Sequence, residues 1–271
     1  MTVRNVPAGR LGPLVGAGRT AEVYGWDDDY VLKLFHATMP FASVAAEARF
    51  AEVVTAAGLP APVAIEPLFE VDGRYGIVYA RVDGPTMLAL LASDPQRLEE
   101  LASQFGALHA QMHRCTCGVL PGQRAALERA IAYAPSLPEH LRSRVLQHLA
   151  RLPGGHAICH GDFHPDNIVM TAQGPVIIDW MTATYGNPVA DVARTTLLFR
   201  TADAPERNPA RAAALEEVRH RFYAVYRRAY EERLPLAAAE IETWLPVLAA
   251  ARLAEGVPEE DERLLRIVES M

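Results

Sequence analysis

The sequence contains almost no lysine. Of its 26 lysine and arginine residues, only Lys33 is a lysine, and it lies in the apolar stretch YVLKLF of Tyr30–Phe35. Because arginine occupies every other basic position, the retained lysine indicates a site that needs a compact ammonium on a flexible stem rather than a planar guanidinium. The alternative is that one lysine survived by chance, with its ammonium reaching water.

Other scarce features argue against whole classes of protein. Three cysteines, a low and odd number, do not suggest a disulfide framework. No apolar run has membrane-spanning length, and the N-terminal stretch MTVRNVPAGR lacks the apolar segment of a signal peptide. The formal net charge of -7 argues against a general nucleic-acid surface. We therefore expect a cytoplasmic protein that binds neither nucleic acid nor a membrane.

The pattern of apolar segments predicts two lobes, which suits the length of 271 residues. In the first part, one helix is expected at Phe41–Ala57, and the predicted strands are Leu11–Val15, Ala21–Trp26, Tyr30–Phe35, Ile65–Glu70 and Tyr75–Arg81. After Gly84-Pro85, helices are predicted at about 95–113, 123–133, 138–150, 208–232 and 236–255, with a β-rich insert at about 157–180. We expect an α+β protein with a small antiparallel-sheet lobe at 1–82 and a larger, mainly helical lobe at 83–271.

The strongest chemical signal is a pair of motifs, HGDFHPDN (His160–Asn167) and PVIIDW (Pro175–Trp180). Two short strands joined by a turn would bring Asn167 and Asp179 to one end of a hairpin. An amide oxygen and a carboxylate are hard ligands suited to Mg²⁺, and Asp162 would stand close enough to accept a proton from a hydroxyl. A base and a metal clamp are what phosphoryl transfer needs. The alternative is that these aspartates are structural residues of buried turns.

The two motifs resemble the catalytic loop and the metal-binding strand of the aminoglycoside phosphotransferase family, which shares the protein-kinase-like fold with choline kinases. The resemblance extends from the glycine-rich segment to about Arg194. It implies that Asp162 is the catalytic base and that Asn167 and Asp179 are the metal ligands.

The same resemblance implies supporting roles for residues around the loop. His160 would support the loop itself, and Asp191, in NPVADVAR, would brace it from a following helix. The family more often has aspartate where this chain has Asn187.

The resemblance also offers an explanation for Lys33. In this fold a lysine on the third strand contacts the α- and β-phosphates of ATP. Strand alternation directs Val31 and Lys33 to the same face. A helical glutamate would hold the ammonium, and Glu47 is the first candidate, with Glu52 as the second.

Two further segments are expected to contact the nucleotide. GAGRTAEV fits a glycine-rich phosphate loop, with Gly16 and Gly18 at the first two glycine positions and Val23 covering the adenine. A G-x-G pattern alone is common in plain turns. The segment VYARVDG aligns with the hinge of the family, which implies that the Ala80 carbonyl and the Val82 amide bond the adenine.

The segment HAQMHRCTCG brings together His109, His113, Cys115 and Cys117. Zinc binding is one interpretation, although C-x-C is not a common zinc spacing. The other is that His109 ends an apolar helix, as a histidine does in the family, and that the remainder is a loop.

The acceptor is expected to be a small molecule rather than a protein. Gly161 stands where protein kinases have the arginine that reads a phosphorylated activation loop, and His164 stands where Ser/Thr kinases have lysine. Eleven residues between Asp179 and Asp191 leave no room for a long activation segment. The helical C-terminal part carries polar residues that could face an acceptor, none of which the sequence assigns as a ligand: Glu216-Glu217, Glu231-Glu232, Trp244, Arg252, Glu255 and Glu259–Glu262.

These features predict an ATP- and Mg²⁺-dependent enzyme that transfers the γ-phosphate to a hydroxyl of a small molecule, in the manner of aminoglycoside phosphotransferases. Fold and core motifs do not decide the acceptor, so a kinase of choline, homoserine or a sugar is an alternative. A nucleotide-binding regulator without catalysis is another, and a structural partner protein is a third.

Overall fold

The computed structural model describes residues 2–201 and 208–271. Its strands are β1 Val3–Asn5, β2 Leu14–Ala17, β3 Ala21–Asp27, β4 Tyr30–Phe35, β5 Ala64–Val71, β6 Arg74–Ala80, β7 Ala157–Cys159, β8 Ile168–Thr171, β9 Gly174–Ile177 and β10 Thr184–Gly186. Its helices are α1 Phe41–Ala56, α2 Met87–Ser93, α3 Leu98–His113, α4 Gln123–Tyr133, α5 Glu139–Arg151, α6 Pro188–Thr201, α7 Pro209–Glu231, α8 Ala238–Arg252 and α9 Pro258–Glu269.

The chain forms two compact units. Unit 1 comprises the residues up to Thr86 together with Asn167–Thr182, and unit 2 comprises Met87–Asp166 together with Ala183–Met271. The expected α+β class, with a small sheet-based part and a larger helical part, is confirmed. The sequence-based boundary at residue 82 stays a prediction, and the compact units differ from it by assigning 167–182 to the sheet-based part.

A six-stranded sheet forms most of unit 1, in the order β1-β5-β6-β4-β3-β2. All neighbours are antiparallel except β1 and β5, which are parallel. The five predicted strands are present, Tyr30–Phe35 with the predicted ends and the other four with shifted ends. Strand β1 is an addition that the sequence did not indicate. Its three residues are exposed, so it has no apolar alternation, and backbone pairing alone places it at the edge.

Local chemistry accounts for the turns and for the single helix of this unit. Asp72 and Gly73 both have positive φ, 49° and 76°, which is the type I′ geometry favoured between two antiparallel strands. Helix α1 begins after Pro40 and ends just before Gly58, whose φ of 78° suits a residue without a side chain.

The two faces of the sheet bury different apolar sets. One face packs on α1: the sheet contributes Ala21, Phe35, Leu68, Ile77 and Tyr79, and the helix contributes Val44, Ala48 and Ala51. The opposite face buries Leu32, Leu34, Phe69, Val71 and Val78 under Val6, Leu11, Tyr24 and Trp26. Because side chains alternate along β4, Lys33 lies on the face that carries α1.

The hairpin β8–β9 joins unit 1 through the segment that follows β6. The Met170 amide donates to the Pro85 carbonyl at 2.9 Å, and Thr86 pairs with Val169. After the hairpin, Met181 packs against the core under α1. These contacts group the hairpin with the sheet although α2 to α5 lie between it and β6 in the chain.

Unit 2 contains the remaining helices and the short antiparallel pair of β7 and β10. Helices α4, α5, α7 and α8 lie where the sequence predicts them. Helix α3 begins at Leu98 rather than 95, because Asp94 caps a separate 3₁₀ turn at Pro95–Arg97. Helices α2, α6 and α9 were not predicted from periodicity. No helix within the described ranges has the length and apolar character needed to cross a membrane.

Candidate active site

Strand register places Lys33 in the centre of the face that packs on α1. Lys33 pairs with Val23 on β3 and with Ile77 on β6, so the three side chains form one row on this face. The Lys33 Nζ lies 2.6 Å from Glu47 Oε1 of α1 and 3.0 Å from Asp179 Oδ1. One ammonium thus joins the sheet, the helix and the end of the β8–β9 hairpin.

The ion pair of Lys33 and Glu47 is largely buried. The Lys33 side chain is 13% exposed and the Glu47 side chain 2%, whereas Glu52, the second candidate partner, is exposed. Burial acts to lower the pKa of Lys33, but the charges of Glu47 and Asp179 outweigh it and raise that pKa above its ordinary value. Burial raises the pKa of Glu47, and Lys33 opposes that rise. The 2.6 Å contact between Lys33 Nζ and Glu47 Oε1 offsets part of the cost of burying both groups.

Tyr79 is a further member of this cluster. Its hydroxyl donates to Glu47 Oε1 at 3.1 Å, and burial, followed by the charge of Glu47, raises the pKa of Tyr79 well above its ordinary value. The other carboxylate oxygen, Glu47 Oε2, is buried and has no hydrogen-bond partner among the described residues. Sequence reasoning missed Tyr79, although its position two residues after Ile77 places it on the same strand face.

Asn167 and Asp179 lie side by side at the open end of the β8–β9 hairpin. The ladder that pairs Ile168 with Ile177 continues through the Ile178 amide, which donates to the Asn167 carbonyl at 2.9 Å. Asn167 is buried, and the Asp179 side chain is 42% exposed. The hairpin therefore places an amide and a carboxylate at the same end, as the sequence predicted.

The backbone at Asp179 is in the left-handed region, with φ of 64°. Such a conformation is uncommon for a residue other than glycine, and it persists where surrounding contacts fix it. The next residue, Trp180, is buried, and its indole N–H donates to the Ile177 carbonyl at 3.0 Å. This anchor, together with Lys33, holds Asp179 at the turn.

This end of the hairpin fits a magnesium ion. Carboxylate and amide oxygens are the ligands Mg²⁺ prefers, and Asp179 is exposed enough to keep space for water and phosphate oxygens. Asn167 and Asp179 are the residues that could hold the ion.

The glycine-rich segment forms the β2–β3 hairpin. The Gly18 amide donates to the Ala21 carbonyl at 2.8 Å, which closes the turn. A side chain added at Gly16 would meet no protein atom within 4 Å, so glycine there leaves open space that the chain itself does not fill. Val23 follows on β3 directly opposite Lys33.

The two residues predicted to bond adenine lie at the end of β6 and just beyond it. The Ala80 amide donates to the Val63 carbonyl at 2.9 Å. Val82 follows β6 and is half-buried. Their role at a nucleotide stays a prediction.

In unit 2, Asp191 holds the HGD segment by its backbone. The carboxylate of Asp191 accepts the His160 amide at 2.8 Å and the Gly161 amide at 2.7 Å. His160 in turn accepts the Asp162 amide on Nδ1 at 3.2 Å. Gly161 has φ of 79°, a conformation that side chains disfavour, so the glycine allows this sharp turn.

His109 and His113 complete the bracing of Asp191. Each donates from Nε2 to Asp191 Oδ2, at 3.2 and 3.1 Å. Because a carboxylate only accepts, both Nε2 atoms carry hydrogen, and both Nδ1 atoms accept from hydroxyls, those of Tyr226 at 2.9 Å and Tyr230 at 2.7 Å. The ring nitrogens are thus occupied by hydrogen bonds, with no lone pair directed at a metal. Burial, followed by the neighbouring His113, lowers the pKa of His109 to about 3.

Asp162 lies between two nitrogen-bearing side chains of unit 2. His164 Nε2 is 3.4 Å from Asp162 Oδ2, and Arg194 Nη2 is 3.3 Å from Oδ1. Burial acts to raise the pKa of Asp162, but the hydrogen bond from His164 and the charge of Arg194 outweigh it, so the pKa lies below its ordinary value. Asp162 is therefore ionised at neutral pH and can accept a hydrogen bond.

The neighbouring polar residues of unit 2 have structural partners. Asn187 caps α6, where its Oδ1 accepts the Val189 amide at 2.8 Å. Trp244 is buried. The acidic clusters contribute to ion pairs with arginine, among them Arg219–Glu216, Arg227–Glu231 and Arg252–Glu260.

Comparisons with known proteins identify the family and the fold. The family model of the phosphotransferase enzyme family (APH) matches residues 14–233, whereas no curated protein sequence matches the chain. The fold is similar to a thermostable mutant of aminoglycoside phosphotransferase APH(4)-Ia in ternary complex with ADP and hygromycin B, at 16% identity and a TM-score of 0.66, covering 97% of this chain and 95% of that one.

Two other solved structures are similar. Aminoglycoside-3'-phosphotransferase of type VIII has 19% identity and a TM-score of 0.62, covering 91% of this chain and 93% of that one. A choline/ethanolamine kinase family protein from Mesorhizobium loti has 20% identity and a TM-score of 0.53, covering 96% of this chain and 88% of that one. At these identities the similarity shows the fold.

Proposed function

The chain belongs to the phosphotransferase enzyme family, as the HGDFHPDN and PVIIDW motifs predicted, and we propose that it transfers the γ-phosphoryl group of Mg·ATP to a hydroxyl of a small molecule. It is thereby a small-molecule kinase. The observation that carries the proposal is the position of Lys33, with its Nζ 2.6 Å from Glu47 Oε1 and 3.0 Å from Asp179 Oδ1. The largely buried Lys33 ammonium offers a positive group for phosphate oxygens, and the half-exposed Asp179 carboxylate beside it offers a ligand for a divalent ion.

Unit 1 carries the groups proposed to hold the nucleotide. Lys33 binds the α- and β-phosphates and is held in place by Glu47. The open space at Gly16 supports a close approach of phosphate to the backbone of the loop that contains Gly18. Val23 covers the adenine.

Two backbone groups complete the nucleotide contacts in this proposal. The Ala80 carbonyl and the Val82 amide bond the adenine edge. Because backbone groups make these contacts, their side chains matter little, and a variant of either residue is a weaker test than a variant of Lys33.

Asn167 and Asp179 would hold the magnesium ion. When bound, Mg²⁺ neutralises charge on the β- and γ-phosphate oxygens and orients them. Asp179 presents its carboxylate while Lys33 and the Trp180 anchor fix its position, and Asn167 contributes its amide oxygen.

Asp162 orients the acceptor hydroxyl and takes its proton. The hydroxyl oxygen forms a bond to the γ-phosphorus while the bond to the bridging oxygen breaks, and ADP leaves. The low pKa of Asp162 makes it a weak base, which suits a loose transition state in which the proton moves late. Its main contribution is then to align the hydroxyl through a hydrogen bond.

The acceptor class proposed is that of an aminoglycoside-like compound with several hydroxyls. The solved structure with hygromycin B and ADP supports this class through its fold. Choline and ethanolamine enter the same test because a choline/ethanolamine kinase family protein shares the fold.

The test is a screen for ADP release from Mg·ATP with aminoglycosides, choline, ethanolamine, homoserine and sugars as acceptors. Wild-type protein should release ADP with at least one of them, and Asp162→Asn should lower that rate by about 10²-fold or more. Asp28→Asn, which changes an exposed carboxylate in the turn between β3 and β4, serves as the matched control and should keep the rate. Mg·ATP binding without ADP release across the panel would favour a non-catalytic regulator and overturn the proposal.

A further inference from the structure

Arg194 is a buried arginine that sequence reasoning did not single out. It lies on α6 three residues after Asp191, so both side chains leave the same side of the helix. Its Nε donates to the Gly161 carbonyl at 3.1 Å, and its Nη2 lies 3.3 Å from Asp162 Oδ1. One guanidinium thus contacts the backbone of the HGD turn and the side chain that follows it.

Arg194 and Asp191 hold this turn in complementary ways. Asp191 accepts the amides of His160 and Gly161. Arg194 donates to the Gly161 carbonyl and to the Asp162 carboxylate. Two residues one helical turn apart on α6 therefore hold both the donor and the acceptor groups of the HGD segment. The planar guanidinium of an arginine suits two acceptors in fixed directions.

A chain of alternating charges continues from Arg194 to the C-terminal helices. Arg194 Nη2 lies 2.6 Å from Glu255 Oε1, and Glu255 also pairs with Arg252 at the end of α8. Arg252 makes two bonds of 2.9 Å to Glu260 of α9. Three of these residues, Arg194, Arg252 and Glu260, are at most 8% exposed. Buried charges are costly unless each is paired, and this chain pairs each one with its neighbour.

We propose that Arg194 is a positioning residue for the phosphoryl transfer, which fixes the orientation of the Asp162 carboxylate, and that Glu255 holds Arg194 in turn. The proposal rests on the proposed function, because it needs Asp162 as the group that meets the acceptor. With Oδ1 bonded to Arg194 and Oδ2 facing His164, the carboxylate has one defined orientation. The C-terminal segment then acts on catalysis through Glu255.

Arg194 also places a positive charge beside the Asp162 carboxylate, which helps to hold the pKa of Asp162 below its ordinary value. The geometry gives a separate readout of positioning. Loss of the Arg194 contacts should change the orientation of Asp162 and leave the nucleotide groups of unit 1 in place, so kcat should fall without a change in the KM for ATP.

The experiment compares kcat and the KM for ATP in purified full-length variants. The acceptor is the best compound of the screen, or water if none is faster. Arg194→Met should lower kcat about 10²-fold with an unchanged KM for ATP. Arg194→Lys keeps the charge without the planar fork, so it should restore only part of kcat. Arg200→Met is the matched control, since Arg200 lies on the same helix in an exposed pair with Glu242.

Thermal unfolding separates positioning from folding. If Arg194→Met unfolds at the assay temperature, the test uses Arg194→Lys instead. A kcat of Arg194→Lys below that of wild type, with wild-type thermal stability, supports the proposal. A wild-type kcat in Arg194→Lys overturns it. Glu255→Gln should reduce kcat in the same direction but less, because it loosens Arg194 rather than removing it. Wild-type kcat in Arg194→Met, while Asp162→Asn is inactive, overturns this inference alone. An active Asp162→Asn overturns the proposed function instead.

Discussion

Replacing Lys33 by methionine tests both the stability and the chemistry of the Lys33 and Glu47 pair. Methionine keeps most of the volume but removes the ammonium, so Glu47 remains as a carboxylate that is 1% exposed. Breaking a buried ion pair by removing one partner costs about 3–5 kcal/mol. Tyr79 still donates to Glu47, and Glu47 can take up a proton, so we expect about 3 kcal/mol. That is a large share of the roughly 5–15 kcal/mol by which proteins are stable.

The loss depends on pH in a direction that follows from Glu47. Burial already raises the pKa of Glu47 above its ordinary value of 4.5, and removing Lys33 raises it further. Since the folded variant then binds a proton that the unfolded chain has released, its stability falls as the pH rises above about 4.5 and through the raised folded pKa. Lys33→Met should therefore be destabilised less at pH 5 than at pH 8.

Adding Glu47→Gln separates stability from turnover. The double variant has no buried charge, so we expect it to regain most of the lost free energy of unfolding, with a coupling of about 2–3 kcal/mol. It still lacks the ammonium for phosphate and should release no ADP above the rate of Lys33→Met. Urea unfolding by circular dichroism at both pH values and ADP release measure the two effects. An equally stable Lys33→Met at pH 8, or a double variant that recovers turnover, would refute the reasoning.

Three further predictions follow from other contacts. Lys33→Arg should keep the charge and the fold, but the larger planar group cannot lie between the carboxylates of Glu47 and Asp179 in the same way. We expect the rate of ADP release to fall about 10²-fold. Wild-type turnover in this variant would contradict the assignment of Lys33. His109 has a folded pKa of about 3 against an ordinary 6.5, so the unfolded chain binds its proton first on acidification. The free energy of unfolding should then fall by up to about 1.4 kcal/mol per pH unit from pH 6.5 toward pH 3, which urea titrations at several pH values will measure; a flat profile in this range would contradict the neutral buried histidine. Gly106→Ala should destabilise the protein by about 1–3 kcal/mol, because the added Cβ on α3 would lie 2.5 Å from the Tyr226 carbonyl oxygen of α7. An unchanged midpoint of thermal unfolding would show that α3 and α7 can move apart without cost.

Much of the candidate site could be predicted because its residues lie in local patterns. Strand alternation around YVLKLF directs Lys33 to the same face as Val31. The turn between β8 and β9 sets Asn167 and Asp179 at one hairpin end. In each case the local backbone geometry decides where the side chain points.

Long-range packing decided the features that sequence reasoning did not reach. Arg194 is one of many arginines, and its contact with Asp162 joins positions 32 residues apart. The sequence around Glu255 does not distinguish it from other acidic residues at helix ends. Its contact with Arg194 exists because α6 and α8 pack together. The edge strand β1 and the grouping of the β8–β9 hairpin with the sheet likewise depend on partners distant in the chain.

The sequence by itself determined the family and the strand that carries Lys33, because motif spacing, turn residues and alternation act within a few residues. The tertiary structure alone decided that Glu47 rather than Glu52 meets the ammonium, and that Arg194 and Glu255 stand behind Asp162. Those choices depend on which helix faces pack together, and that is set by the burial of apolar surface over the whole unit.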